Sequence, residues 1–230
     1  MNVLGIETSC DDTAAAVITD GTIIKSNIVA SQSDMHKKYG GIIPEIASRE
    51  HFTSLMPVVN EALEQASLTY KNIDAIAVTN GPGLAGSLLI GVNSAKGLSM
   101  SWDKPLIGIN HLEGHIYSAW LEDLEPDHQA GFPLVCLIAS GGHTDLVVMK
   151  DHLDYKLIGK TRDDAAGEAF DKAARVLGLG FPGGPEIQKM SEEALETVAA
   201  LPRPAIKDSL DFSFSGLKTC LLYTSDAADE

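Results

Sequence analysis

The chain has 230 residues, 44% of them hydrophobic, enough to bury a substantial core in one large or two smaller domains. Its 17 basic and 32 acidic residues give a formal charge of −15, and a surface of that sign repels a phosphate backbone, so a nucleic-acid substrate would need help from elsewhere to be held. Cys10, Cys136 and Cys220 follow neither a disulfide framework nor a metal-knuckle spacing, Met1-Asn2-Val3 begins a strand without a signal peptide, and the longest apolar runs, such as Leu134 to Ala139, are too short for a bilayer. The expectation is a soluble protein of the reducing cytoplasm with no membrane partner.

Three short apolar runs open the chain, Asn2 to Thr8, Thr13 to Ile18 and Ile23 to Ala30, broken by Cys10-Asp11-Asp12 and Asp20-Gly21. They predict a three-stranded meander with tight turns. Pro44 can start a helix in which Ile46, Phe52, Leu55, Val58, Val59, Ala62, Leu63 and Ala66 recur at helical spacing, kinked or restarted at Pro57. A buried strand Ile73 to Thr79, a small-residue helix Leu84 to Met100, a strand Leu106 to Asn110 and a helix His111 to Leu121 complete a β-β-β-α-β-α-β-α lobe over residues 1–121.

Past an acidic connector at 122–131 the pattern restarts with strands Leu134 to Ala139, Asp145 to Lys150 and Tyr155 to Ile158 and a helix Asp164 to Leu177, then an amphipathic stretch Glu186 to Ala199. The two first turns match, because Ser9 and Thr13, like Ser140 and Thr144, stand four residues apart between the first two strands. A chance repeat of a common α/β unit gives the same pattern. Duplication gives an α/β chain of the actin-like ATPase (ASKHA) plan: two RNase H-like lobes with mixed sheets whose hairpin turns grip nucleotide phosphates, the second lobe, 132–219, being incomplete. Cys220 to Glu230 (CLLYTSDAADE) breaks from the preceding sequence and matches read-through into a transposon adapter, so 220–230 is set apart as a non-native tail. The alternative is an ordinary acidic tail. Without Asp226, Asp229 and Glu230 the charge is −15 + 3 = −12.

Asn110-His111-Leu112-Glu113-Gly114-His115 follows a buried strand. Positions four apart on a helix share a face, so both imidazoles can grip one metal ion, and ligand crevices of open α/β sheets lie beyond the carboxyl ends of strands. A zincin peptidase needs Glu directly after the first His, where Leu112 stands, and Glu113 lies about 200° around the helix from His111. Ser140-Gly141-Gly142-His143-Thr144 suits close backbone approach to a phosphate, although a Gly-Gly pair is also a plain hairpin turn. Asn80-Gly81-Pro82-Gly83-Leu84-Ala85-Gly86 satisfies G-x-G-x-x-G, but the next strand ends in Asn110-His111 and not in an acid that could bind a ribose diol. Strand-to-helix packing by Gly86, Ser87, Gly91, Ala95 and Gly97 explains it better than NAD. In Asp163 to Lys172 the first acids read as helix caps. Asp171 and Lys172, two turns in, suit a ligand's hydroxyl or carboxyl groups.

Taken in order, Gly5 to Thr13, Tyr39 to His51, Gly81 to Gly86, His111 to His115, Ser140 to Thr144, Asp163 to Lys172, Pro182 to Pro185 and Asp211 to Thr219 resemble the bacterial TsaD family of tRNA N6-adenosine threonylcarbamoyltransferases, formerly called glycoproteases. The similarity covers nearly all of 1–219. It implies transfer of a threonylcarbamoyl group from threonylcarbamoyl-AMP to the adenosine beside the anticodon of tRNA. It also implies His111 and His115 as ligands of one divalent transition metal, Fe2+ or Zn2+, the third ligand being an Asp near the end of the family sequence, a region absent here. Ala139, Ser140, Gly141, Gly142, His143, Asp171, Gly184 and Gln188 correspond to contacts with the adenylate or an ATP-like nucleotide, with Asp11 orienting or activating the nucleophile. Gln188 stands where many relatives carry Asp, and Asp12 where Glu is usual. The implied partners are tRNA, a paralogous actin-like protein (TsaB) and a small ATPase (TsaE). The competing classes are a glycoprotease-type metallopeptidase and a noncatalytic actin-like scaffold, the latter expected to lack the His pair. Lacking a ligand and part of its second lobe, the 230-residue chain is expected to be inactive alone.

Overall fold

The computed structural model describes residues 1–121, 131–192 and 201–226. Two compact units divide the chain, Met1–His128 and Gln129–Glu230. Among the described residues no helix is long and apolar enough to cross a membrane.

In the first unit β1 (Asn2–Glu7), β2 (Asp12–Thr19) and β3 (Ile23–Ser31) form the antiparallel meander. Asp20 and Gly21, at φ 51° and 89°, supply the left-handed pair that the β2–β3 turn requires. A five-residue helix α1 (Ser33–Lys37), which hydrophobic periodicity is too short to reveal, precedes α2 (Pro44–Gln65). Next come β4 (Ala75–Gly81), α3 (Ala85–Trp102), β5 (Leu106–Asn110) and α4 (His111–Tyr117). β4 joins β1 in parallel and β5 joins β4 in parallel, giving a mixed sheet of order β3-β2-β1-β4-β5. Alternate residues of the central strands, Leu4, Ile6, Ala15, Val17, Ile76 and Val78, meet Leu55, Val59 and Ala62 of α2 and Ala95 and Leu98 of α3 in one core.

Two expectations need correcting here. α2 runs through Pro57 as one 22-residue helix, not a restarted one; Leu55, Val58 and Val59, buried on either side of the proline, pin both halves to the same sheet. α4 ends at Tyr117 and tightens into a 3-10 turn over Ser118–Trp120. There the Ser118 hydroxyl donates to the His115 carbonyl at 2.7 Å, and such bonding competes with the α-helical ladder.

The second unit repeats the meander in β6 (Leu134–Ala139), β7 (Thr144–Asp151) and β8 (Asp154–Lys160), followed by α5 (Ala166–Val176), α6 (Gly183–Glu192) and α7 (Ser215–Asp226). Its sheet is antiparallel, with the order β6-β7-β8, the meander expected of the incomplete second lobe. Strands equivalent to β4 and β5 have no counterpart among the described residues, and parallel pairing is limited to a bridge between Thr161 and Phe212. The expected connector at 122–131 lies, apart from residue 131, outside the described residues. So do residues 193–199 of the stretch read as Glu186 to Ala199, of which α6 occupies the start. Asp163 and Asp164 do not open α5, whose first residue is Ala166. Asp163 instead caps α7, accepting from the backbone N–H groups of Phe214 and Ser215 at 2.7 and 3.2 Å, and Asp164 pairs with Lys172 at 2.7 Å.

The matching turns have matching structural roles. Thr13 and Thr144, both buried, each hold the helix that follows their meander. Thr13 Oγ1 lies 2.7 Å from His51 Nδ1 of α2, and Thr144 Oγ1 accepts from Ala166 N of α5 at 2.8 Å.

Close packing explains part of the small-residue stretch in α3. A Cβ on Gly91 would strike the side chain of buried Thr8, whereas one on exposed Gly97 would meet nothing within 4 Å. Gly91→Ala should therefore lower unfolding stability by about 1–3 kcal/mol. Gly97→Ala on the same helix should raise it by roughly 0.5–1 kcal/mol, both read from urea denaturation.

Candidate functional site

Three parallel strand ends build the first cluster. β1 ends in Glu7, β4 carries Thr79 near its end, and β5 delivers Asn110, whose side chain caps α4 by accepting from Leu112 N at 2.9 Å. His111 therefore sits on the first residue of α4, at the carboxyl edge of the sheet where ligand crevices form. His115, one turn on, places its Nε2 3.0 Å from His111 Nε2, with ring centroids 4.5 Å apart and planes at 81°. On the other side of its ring His111 Nδ1 lies 3.1 Å from both Glu7 Oε2 and Ser9 Oγ.

The Glu7 carboxylate is gripped from several directions. Thr79 Oγ1 donates to Oε2 at 2.6 Å and the Ser9 backbone N–H donates to Oε1. Burial alone would raise its pKa, but hydrogen bonds from His111, Ser9 and Thr79 to the charged form outweigh that cost and bring it to about 2.

The neighbouring turn, 9–12, is held by buried contacts. His51, fully buried on α2, lies 3.0 Å from the Cys10 carbonyl through Nε2, and the Ser87 hydroxyl donates to the same carbonyl at 3.3 Å. Leu84 N donates to the Ser9 carbonyl at 2.8 Å, an approach so close that a Cβ on Gly83 would stand 2.5 Å from that oxygen. Asp11 sits half-buried on this turn. Burial first, then the charge and hydrogen bond of Asp11 and the charge of Asp12, push the Cys10 thiol up to about 12, so it is no nucleophile at neutral pH.

The second unit carries the other predicted residues. Ala139 ends β6, exposed, and the turn 140–143 follows. Ser140 Oγ accepts from the N–H groups of Gly142 and His143 at 3.3 and 3.1 Å, so these two amides turn inward to that hydroxyl. The space where side chains of Gly141 and Gly142 would project is open, and Gly167 N of α5 donates to the Ser140 carbonyl at 3.0 Å. Asp171 accepts from Gly183 N at 2.7 Å and thereby fixes the start of α6, where Gly184 borders open space and Gln188 is exposed one turn later. Lys172 is bound to Asp164 and to Glu168, at 2.7 and 2.9 Å, and serves the packing of its own helix. Among the described residues no group of three or more His, Cys, Asp or Glu side chains is arranged to hold a metal ion.

Residues 23–229 match the family described as TsaD: tRNA N6-adenosine threonylcarbamoyltransferase. The chain belongs to the TsaD family. The enzyme of that name from Thermomicrobium roseum is 62% identical over 226 residues, covering 96% of this chain and 61% of that protein. Those from Dehalococcoides mccartyi and Symbiobacterium thermophilum are 57% and 55% identical, with 96% of this chain covered in each case. The chain spans 61%, 67% and 63% of the lengths of these three TsaD relatives. Among solved structures, component A of the (R)-2-hydroxyglutaryl-CoA dehydratase of Acidaminococcus fermentans aligns over 99% of this chain and 69% of its own, with a TM-score of 0.56 at 13% identity. The 2-hydroxyisocaproyl-CoA dehydratase activator of Clostridium difficile aligns over 99% and 67%, with a TM-score of 0.50 at 12% identity. The fold is that of the actin-like ATPases, and at such identities the likeness extends to the fold alone. The TsaD match continues past Thr219, and α7 runs unbroken through Cys220 to Asp226, across the segment set apart from the sequence as a tail.

Sequence reasoning missed Glu7, Thr79 and His51 as parts of the site. A glutamate closing an apolar strand, immediately before a Thr-Ser turn, was the available signal for Glu7. Its depressed pKa means that ionised Glu7 stabilises the fold above its ordinary value of 4.5 and that this contribution is lost as pH falls toward 2. The stability of Glu7→Gln should therefore fall less steeply than that of the unsubstituted protein across this interval, as followed by urea unfolding at a series of acid pH values.

Proposed function

We propose that the protein, in its full length, transfers the threonylcarbamoyl group of threonylcarbamoyl-AMP to N6 of the adenosine beside the anticodon of tRNA in the cytoplasm. The amine nitrogen bonds to the carbamoyl carbon, the bond from that carbon to the phosphate oxygen breaks, AMP leaves, and a base takes the proton from N6. One observation carries the reading. A chain belonging to a family named for this transfer holds two imidazole nitrogens on one spot, 3.0 Å apart, at the carboxyl edge of its sheet.

That spacing fits a shared metal. Two nitrogens bonded to one ion at about 2.0–2.1 Å each lie roughly 3 Å apart, and imidazole suits Fe2+ and Zn2+. His111 and His115 would hold it. When bound, such an ion is a Lewis acid that stabilises charge developing on a phosphate or carbamoyl oxygen. The remaining work falls to the chain's own residues. The turn 139–143, open above Gly141 and Gly142, and the Asp171, Gly184 and Gln188 region would bind the adenylate, a phosphate taking its place beside the Ser140 hydroxyl. Asp11 would orient the amine or accept its proton. A zincin peptidase would want Glu where Leu112 stands.

Elemental analysis and a transfer assay on full-length His111→Ala/His115→Ala test this directly. Metal should be lost and transfer should fall to background. Unchanged metal stoichiometry would remove the assignment.

A protein of charge −15 associates with tRNA against long-range repulsion. We infer that a paralogous actin-like protein (TsaB) and a small ATPase (TsaE) assist, as the family resemblance implies. α2 supports a docking role: while Leu55, Val58 and Val59 face the core, Phe52 is 72% exposed and Met56 also faces outward, next to α3, where Leu89 is 59% exposed. Addition of these partners should accelerate tRNA modification markedly, and charge reversal at exposed Glu61 or Glu64 should weaken assembly. Equal turnover with and without partners would contradict the inference.

A further inference from the structure

Glu7 does more than satisfy a buried corner of the sheet. An ionised carboxylate only accepts hydrogen bonds, so the atom facing Glu7 Oε2 at 3.1 Å must be a protonated His111 Nδ1. Ser9 Oγ competes for the same nitrogen at the same distance, and a hydroxyl donating there would favour the opposite tautomer. A bond to a charged acceptor is about twice as strong as a neutral one, so the carboxylate decides. A neutral imidazole with its proton on Nδ1 has a bare Nε2, and that lone pair points at His115 Nε2 3.0 Å away.

The carboxylate cannot easily swing off this position. Thr79 Oγ1 donates to Oε2 at 2.6 Å from the adjacent parallel strand and the Ser9 N–H holds Oε1. Glu7 and Thr79 are anchored by strand register, with Ile6 paired to Val78 just before them. The arrangement is a chain from the Thr79 hydroxyl through the Glu7 carboxylate to His111 Nδ1, with His111 Nε2 facing His115 Nε2.

We propose that Glu7 is a positioning residue that sets the tautomer of His111 and so prepares the His111–His115 pair to receive a metal ion. The inference rests on the metal reading given above and extends it to a residue that touches neither ion nor substrate. Without the Glu7 carboxylate, as in Glu7→Gln, the imidazole proton is no longer held on Nδ1 and can sit on Nε2, between the two rings, where it opposes an ion. Outer partners of this kind contribute about 10–100-fold to metal affinity.

The experiment uses full-length protein and two readouts. Long-range 1H–15N spectra of the metal-free protein report which ring nitrogen of His111 carries hydrogen, and competition with a chromophoric chelator gives the Co2+ dissociation constant. Unsubstituted protein should show Nδ1–H at His111. Glu7→Gln should shift the population toward Nε2–H and weaken Co2+ by about 10–100-fold at unchanged stoichiometry, whereas Ser9→Ala should keep the Nδ1–H form. If Glu7→Gln fails to fold, Thr79→Val, which frees one side of the carboxylate, should still weaken Co2+ several-fold. Nε2–H at His111 in the unsubstituted protein overturns the proposal. Co2+ binding lost in His111→Ala but untouched in Glu7→Gln overturns the role of Glu7 and leaves the metal reading standing; no Co2+ binding by the unsubstituted protein overturns both.

Discussion

The meeting of three parallel strand ends on one carboxylate organises the first unit's site. β1 supplies Glu7, β4 supplies Thr79, and β5 hands over to α4 at Asn110, so a register fixed by main-chain pairing also fixes where the His111 ring stands. Charge and burial oppose each other at that point. Burial raises the energy of an ionised Glu7, and the hydrogen bonds from His111, Ser9 and Thr79 more than offset it. Each member of the site is held by an element of the sheet or by the turn beside it, and that turn is itself held by His51 of α2, Ser87 of α3 and the Leu84 N–H that precedes α3.

The second unit applies the same plan with other atoms. Where the first unit ties its meander turn to a helix through the His51 side chain, the second uses the opening backbone amides of α5, which reach Ser140 and Thr144. The first solution leaves the side chains of His111 and His115 together at the carboxyl edge of the sheet, suited to the proposed metal. The second leaves glycine backbone under open space, suited to a phosphate-bearing ligand. This division of labour is what the proposed transfer from an adenylate would need, and the net charge of −15 is the reason for the proposed help from partners in approaching tRNA.

Much of this was legible in local sequence. Strand ends at Leu106–Asn110 and Leu134–Ala139 followed from apolar runs bounded by turn residues, and the His111–His115 pair from a spacing of four, because helical periodicity is a local property. Glu7 was not legible as part of the site because its partners are 72 and 104 residues away, and only sheet register brings them together. Asp163 misled for a related reason. An acid just before a helix ordinarily caps it, and here it caps a helix that begins 52 residues later at Ser215. Of the two readings of Pro57, a kink or a restart, the restart is excluded, because burial on both sides keeps one continuous helix across the proline.

The central claim is that His111 and His115 together hold one transition metal at the edge of the first sheet. X-ray absorption spectroscopy of the full-length, metal-loaded protein tests it without reference to activity. The account predicts two nitrogen scatterers at about 2.0–2.1 Å with the outer-shell pattern of imidazole rings, both lost in His111→Ala/His115→Ala. A metal shell of oxygen or sulfur alone, or an imidazole signal that survives the double substitution, would contradict it.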